Sequence, residues 1–120
     1  MSRKVLVAED QKEIRTIMRI LLEHNGFSVI EAEDGYEAVE KAVRERPDLK
    51  LMDLAMPVLD GLNSTRAIRQ HEELADLPIV ALTAYGDFYD SRARDAGCTD
   101  VLQKPIDFSR LKPLVQQYLS

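Results

Sequence analysis

Residues 5–10 read VLVAED, a run of four apolar residues that ends on two carboxylates. Three later apolar runs also end on a chemically active side chain, at Asp53, Thr83 and Lys104. Short apolar runs bounded in this way are typical of buried strands. Because ligands of open α/β sheets bind outside the carboxyl ends of parallel strands, we expect these residues to form one site.

The segments between the predicted strands show the apolar spacing of amphipathic helices, so the chain alternates strand and helix. We expect helices at about residues 14–22, 36–46, 62–73 and 88–96. A last helix has Asp107 as its N-cap, and Pro113 predicts either a kink or a beginning near Lys112. The fourth helix is polar, and we expect it to be the least stable element. Right-handed crossovers then give a flavodoxin-like, doubly wound α/β fold: a five-stranded parallel sheet of order 2-1-3-4-5 with five helices.

The composition limits the classes of function. The chain has 120 residues, which suits one domain over residues 1–120, and its net charge of -5 argues against direct contact with nucleic acid or anionic membranes. The expected partner is a protein or a small molecule. Cys98 is the only cysteine, which excludes disulfide scaffolds and multi-cysteine zinc sites. The first apolar run is too short for a signal peptide, and we expect a cytoplasmic protein.

With strand order 2-1-3-4-5, the first and third strands are neighbours, so Glu9, Asp10 and Asp53 are expected to cluster. Carboxylates this close repel one another and require a compensating cation. Mg²⁺ suits the cluster because it takes one or two carboxylates and completes its coordination with water and phosphate oxygens. A phosphate group held by this cation would also need hydrogen-bond donors on its other side, and Thr83 and Lys104 offer a hydroxyl and an ammonium. The site could serve a bound phosphate ester or a covalent aspartyl phosphate, and the residues alone leave both open.

The residues lie in four ordered motifs: Glu9-Asp10, Asp53-Leu54-Ala55-Met56-Pro57 followed by Asp60-Gly61, Thr83-Ala84, and Lys104-Pro105. Over the whole chain this arrangement resembles the receiver domain of two-component response regulators. The resemblance implies that Asp53 accepts a phosphoryl group from a histidine kinase or a phosphotransfer protein. It implies that Asp10, Asp53 and the carbonyl of Ala55 bind Mg²⁺, with Glu9 acting mainly through water. Catalysis would be limited to the chain's own phosphoryl transfer and hydrolysis.

The resemblance also implies roles for residues around the phosphoryl group. Thr83 and Lys104 would each contact one of its oxygens, and the peptide bond before Pro105 would be cis. Ala55 and Tyr85 stand at the two positions that tune hydrolysis in this family. Ala55 cannot orient a water molecule and Tyr85 could shield the phosphoryl group, so self-dephosphorylation is expected to be slow.

Switching and docking follow from the same resemblance. Val101 stands where receivers commonly carry a Tyr or Phe that turns inward when the threonine moves. Because a valine has no ring, Thr83 would have to signal through backbone shifts or other side chains. The surface expected to face the phosphodonor consists of Gln11, Ile14, Ile17 and Ile106. We also expect the chain to bind a downstream protein target and to be a monomer or a weak dimer.

Three other functions are weighed against this one. A dehalogenase-like phosphatase would need a second acid two residues after its nucleophile, where this chain has Ala55, and space for a substrate cap. A flavin or dinucleotide carrier would need glycines in the turn after the first strand, which here reads EDQK. A degenerate receiver, acting as a phosphorylation-independent interaction module, is favoured by Val101 and opposed by the intact acids, Thr83 and Lys104.

Overall fold

The computed structural model describes residues 3–55, 60–84 and 87–119, which form five parallel strands and five α-helices. In chain order the elements are β1 (Lys4–Ala8), α1 (Lys12–His24), β2 (Ser28–Ala32), α2 (Gly35–Glu45), β3 (Leu49–Asp53), α3 (Gly61–Arg69), β4 (Ile79–Thr83), α4 (Asp87–Ala96), β5 (Asp100–Gln103) and α5 (Leu111–Leu119). The sheet order is β2-β1-β3-β4-β5, which confirms the predicted doubly wound fold.

Helices cover both faces of the sheet. α1 and α5 pack on one face, where Met18 and Val115 are fully buried, and α2, α3 and α4 pack on the other, where Ala42, Ile68 and Ala93 are fully buried. Every residue of β3 and β4 is buried, as is typical of central strands in a parallel sheet. Within the described part of the chain, no helix has the length and apolar character needed to span a membrane.

The strand register aligns the carboxyl ends. In β1 and β3, Ala8 lies opposite Met52. In β3 and β4, Asp53 lies opposite Leu82, and in β4 and β5, Thr83 lies opposite Gln103. Residues that end or follow these four strands therefore emerge at one edge of the sheet, as the sequence predicts.

The end of α3 differs from the prediction. The helix ends at Arg69 rather than near residue 73, and a short 3₁₀ turn at Glu72–Leu74 follows it. The Arg69 side chain donates hydrogen bonds to the carbonyl oxygens of Leu74 at 2.8 Å, Ala75 at 3.2 Å and Gly97 at 2.9 Å. These bonds hold the chain in the turn and tie it to the connection between α4 and β5. The spacing of apolar residues does not report such long-range contacts, so the end of α3 could not be predicted from it.

The beginning of α5 resolves the two outcomes predicted for Pro113. The helix starts at Leu111, close to the predicted Lys112, so the proline lies in the first turn, where its missing N–H leaves no internal bond unmade. The predicted cap, Asp107, accepts a hydrogen bond from the Ser109 amide at 3.0 Å. It therefore caps the 3₁₀ turn Phe108–Arg110, which leads directly into α5.

Candidate functional site

Three carboxylates meet where β1 and β3 end. Glu9 and Asp10 follow β1 directly, and Asp53 is the last residue of β3. Each offers a carboxylate oxygen, and these oxygens all lie within 4.8 Å of one another. Glu9 and Asp53 are buried, at 0% and 2% exposed, whereas Asp10 is open to solvent. The acidic cluster expected from the sequence is therefore present, with one face accessible.

Asp53 is held by two donors of different kinds. The Lys104 ammonium lies 3.0 Å from its Oδ2, and the Ala55 amide donates to its Oδ1 at 3.1 Å. Lys104 reaches the site because its own amide donates to the Thr83 carbonyl oxygen at 2.7 Å, which fixes the chain after β5 beside β4. The following peptide bond, Lys104–Pro105, is cis. Asp53 thus presents a buried, charge-paired carboxylate at the edge of the sheet.

Glu9 has a less satisfied carboxyl group. Its Oε2 accepts a hydrogen bond from the Gln11 amide at 3.2 Å, but its Oε1 is buried and has no hydrogen-bond partner among the residues that the structure describes. The Lys104 ammonium is 3.7 Å from Oε1, too far for a hydrogen bond. Burial, and after it the adjacent Asp53 carboxyl, raise the pKa of Glu9 to about 8. The cluster consequently contains more carboxyl groups than the single positive charge of Lys104 can neutralise.

The donor set fits a hard divalent cation. All of its ligand atoms are oxygens, which Mg²⁺ prefers, and the exposed Asp10 leaves space for the waters that Mg²⁺ retains. The Glu9 Oε1, which accepts no hydrogen bond from the described part of the chain, is an acceptor that a cation or its bound water would satisfy. Ala55 lies beside Asp53 through its amide, and the expected role of its carbonyl stays a prediction.

Thr83 and Val101 lie on the two strands beyond β3. Thr83 ends β4 and is 2% exposed, so its side chain lies at the same sheet edge as Asp53. Val101, in β5, lies opposite Ala81 of β4 and packs partly buried against the core beneath α2, α3 and α4. Tyr85, expected to shield the site, lies outside the described residues, as do Met56 and Pro57 of the second motif.

A groove opens next to the site. It has a volume of about 200 Å³ and is lined by Ile14, Ile17, Lys104, Pro105, Ile106 and Phe108. The structure therefore brings together three of the four residues predicted to face a phosphodonor. The fourth, Gln11, is the exposed N-cap residue of α1. The sequence analysis did not include Phe108 in this surface. Its position could have been suspected, because it is an apolar residue only two positions after Ile106.

Sequence reasoning also missed Arg15. Together with Met18 and Leu22 it forms the buried face of α1, and it is 7% exposed. Its guanidinium donates to the carbonyl oxygen of Glu9 at 2.9 Å, directly behind the acidic cluster. The signal in the sequence is an arginine at an inward-facing helix position, where an apolar residue is the norm.

The fold and the site place the chain in one class of signalling domain: residues 5–116 match the family model of the response regulator receiver domain, and the chain belongs to that family. It is 34% identical to the polar-differentiation response regulator DivK of Brucella anthropi, over 99% of this chain and 98% of that protein. Its structure is similar to that of the chemotaxis response regulator CheY4 of Vibrio cholerae, with a TM-score of 0.93, 30% identity, and 98% and 99% of the two chains covered.

A second structural relative bears on the metal. The receiver domain of the sensor histidine kinase PA1611 from Pseudomonas aeruginosa, solved with a magnesium ion coordinated in its active-site cleft, is 35% identical with a TM-score of 0.90. The comparison covers 98% of this chain and 98% of that one. The chain described here shares its fold and carries an acidic cluster that fits such an ion.

Proposed function

We propose that this chain is a phosphoacceptor in which Asp53 takes a phosphoryl group from a histidine kinase or a phosphotransfer protein in the presence of Mg²⁺. The observation that carries the proposal is the Asp53 carboxylate, 3.0 Å from the Lys104 ammonium and clustered with Glu9 and Asp10 at the carboxyl end of the sheet. Binding of a downstream protein target would depend on the phosphorylated state.

Asp53 is the best nucleophile of the three acids. Glu9 has a pKa raised to about 8 by burial and by its neighbour, so at neutral pH it is mostly protonated and a poor nucleophile. Asp10 is exposed to solvent, which suits a ligand of a hydrated cation better than a nucleophile that must exclude water. The lysine and the Ala55 amide hold Asp53 in one orientation, which favours in-line attack.

The transfer step follows from these positions. As an Asp53 carboxylate oxygen forms a bond to phosphorus, the bond from phosphorus to the donor histidine nitrogen breaks, and its electron pair returns to the imidazole. Lys104 and the Thr83 hydroxyl would neutralise and orient the phosphoryl oxygens, which is where this chemistry is accelerated. Mg²⁺, when bound by Asp10, Asp53, the Ala55 carbonyl and water held by Glu9, would supply further charge neutralisation.

Slow hydrolysis is part of the proposal. The methyl side chain of Ala55 offers no group that could orient an attacking water, and Ala55 is exposed beside Asp53. The phosphoryl group would then persist long enough to be read by a target. With Val101 in place of a ring, the change would reach the partner through backbone shifts around Thr83.

The groove is the proposed contact for the phosphodonor. It is apolar and adjoins Lys104, so a helical partner seated there would present its phosphohistidine to Asp53. Ile17→Glu is expected to slow transfer from such a partner and to leave phosphorylation by acetyl phosphate unchanged. Ile20→Glu is the matched control, because Ile20 is 54% exposed on α1 and does not line the groove. Equal effects of the two variants would contradict this docking site.

The central experiment measures the intact mass of the protein after incubation with Mg²⁺ and acetyl phosphate. We expect a gain of one phosphoryl group that is absent without Mg²⁺ and absent in Asp53→Asn. Asp90→Asn, which alters a partly exposed aspartate of α4, is the matched control and is expected to be phosphorylated normally. No gain in a folded protein that binds Mg²⁺ would favour the phosphorylation-independent interaction module, which Val101 supports.

A further inference from the structure

Arg15 is a buried cation that the phosphoacceptor role leaves unassigned. Its side chain is 8% exposed and lies between α1 and β2. Nε donates to Glu31 at 3.2 Å and Nη2 to Glu33 at 3.4 Å, while Nη1 donates to the carbonyl oxygen of Glu9 at 2.9 Å. One planar group thus joins the end of β2 to the main chain of the acidic cluster.

The Glu9 main chain is fixed on both sides. Its amide donates to the Ala32 carbonyl oxygen at 3.0 Å, and its carbonyl accepts from Arg15. That carbonyl belongs to the peptide unit between Glu9 and Asp10. By fixing the orientation of this peptide, the guanidinium also restricts the position of the Asp10 Cα and therefore the direction of its side chain. The Glu9 carboxyl is constrained as well, because its Oε2 accepts from the Gln11 amide.

We propose that Arg15 is a positioning residue, which orients the Glu9–Asp10 peptide so that the two carboxylates are arranged for a divalent cation before that cation binds. Glu31 and Glu33 hold the guanidinium in place. The inference rests on the proposed function, since it concerns the same acidic cluster, and it adds a residue that does not touch the cation or the phosphoryl group. Partners of this outer kind commonly change metal affinity by about 10- to 100-fold.

Arg19 provides a matched comparison one helical turn away. It also pairs with Glu31, at 3.5 Å, and with Glu23, at 3.1 Å, but its side chain is 35% exposed, and none of its hydrogen bonds or ion pairs within the described residues involves Glu9. Removing either arginine deletes one positive charge from the same side of α1. Only removal of Arg15 releases the peptide in front of Asp10.

The sign of the effect separates positioning from charge. Arg15 is a cation close to a cation site, so by simple Coulomb repulsion its removal would strengthen Mg²⁺ binding. If Arg15 orients the ligands, its removal weakens binding. Arg15→Lys retains the charge and most of the stem but has no planar fork to serve three acceptors, so positioning predicts that it weakens binding too.

The test is calorimetric titration of the full chain with MgCl₂, without any phosphodonor, for the native protein, Arg15→Gln, Arg15→Lys and Arg19→Gln. We expect the dissociation constant to rise about tenfold or more for both Arg15 variants. For Arg19→Gln we expect a change below about twofold, because exposed ion pairs contribute little. The Gln11 amide resonance, which reports the loop directly, is expected to shift in the Arg15 variants alone.

Each outcome decides between the proposals. Unchanged or tighter Mg²⁺ binding by a folded Arg15→Lys protein would overturn the positioning role, as would equal losses for Arg15→Gln and Arg19→Gln. Arg15→Lys serves this purpose even if Arg15→Gln does not fold, since it keeps the buried charge. Failure of the native protein to bind Mg²⁺ at all would overturn the proposed function together with this inference.

Discussion

Strand β3 carries two buried ionisable side chains that are treated in opposite ways. Asp53, at its carboxyl end, is 2% exposed, and Lys50, three residues earlier, is 0% exposed. Asp53 faces the Lys104 ammonium at 3.0 Å and accepts a hydrogen bond from Ala55. Lys50 takes part in no ion pair of the described residues, and its ammonium nitrogen is 3.5 Å from the hydroxyl oxygen of Ser64.

The difference separates a charge-paired carboxylate at the candidate site from a side chain of the core. Desolvation lowers the pKa of Lys50 well below its usual range; the Cys98 thiol opposes this shift, and the nearby Arg69 charge adds to it. A neutral amine can lie in an apolar core with one weak hydrogen bond. At the end of the same strand, protein donors compensate the charge of Asp53 and further carboxylates surround it. Partners that balance a charge, rather than burial itself, mark Asp53 as a candidate site residue.

The largest effect is expected from breaking the ion pair of Asp53. Lys104→Met removes the cation that would stabilise the phosphoryl oxygens, so we expect phosphorylation by acetyl phosphate at saturating Mg²⁺ to slow by about 100-fold or more. The rate is measured by intact mass against time. Lys112→Met, at an exposed lysine of α5, is the control and is expected to behave like the native protein. A native rate in Lys104→Met would remove Lys104 from the proposed chemistry.

A second perturbation crowds the end of β3 without touching a charge. A Cβ at Gly61 would lie 2.6 Å from the carbonyl oxygen of Asp53 and 2.7 Å from the Cα of Leu54, so the backbone must move. We expect Gly61→Ala to lower the free energy of unfolding by about 1–3 kcal/mol, in urea titrations, and to slow phosphorylation.

Gly26→Ala is the matched control for that substitution. Gly26 has a φ of 91°, and no atom of the described residues beyond its chain neighbours lies within 4 Å of an added Cβ, so alanine there is strained without a collision. We expect a loss of about 1–2 kcal/mol in stability and native phosphorylation. If both glycine variants slowed phosphorylation equally, general destabilisation rather than the position of Asp53 would be the cause.

The contrast between Asp53 and Lys50 is also tested at Lys50, by replacing its buried amine. Lys50→Met removes a polar group with a single weak partner and keeps a similar volume, so we expect the free energy of unfolding at neutral pH to rise by about 1–3 kcal/mol. Phosphorylation is expected to stay at the native rate. Equilibrium urea unfolding measures the gain, and Lys112→Met is again the control. A loss of stability would show that the Lys50 amine contributes to the fold.

The fold and most of the site could be predicted because both are encoded locally. The apolar runs predict the strands, and the candidate site residues stand directly where these runs end, at Asp53, Thr83 and Lys104. Lys50 could not be recognised in this way, because a polar residue in a strand is expected to face solvent, whereas both faces of β3 are covered. The partners of Arg15 could not be predicted either, because its three acceptors lie in β2, just after β2 and just after β1.

The last expected effect is a difference in pH dependence. The folded-state pKa of Lys50 is lowered, so between that value and about pH 10.4 the unfolded chain binds the Lys50 proton and the native chain does not. Stability contributed by this residue therefore increases with pH through that window and is lost as pH falls, by at most about 1.4 kcal/mol per pH unit. Lys50→Met lacks this term, and because the Cys98 thiol interacts with Lys50, Cys98→Ala is introduced into both proteins so that this thiol does not contribute to the difference.

The excess stability of Lys50→Met over the native protein is thus expected to shrink as the pH is raised from neutral towards about pH 10. Urea unfolding of the two proteins in parallel at several pH values measures this difference directly. A difference that is constant with pH would mean that Lys50 stays protonated in the native state. Its charge would then be compensated inside the core, as that of Asp53 is at the end of the strand, and the contrast between the two residues would disappear.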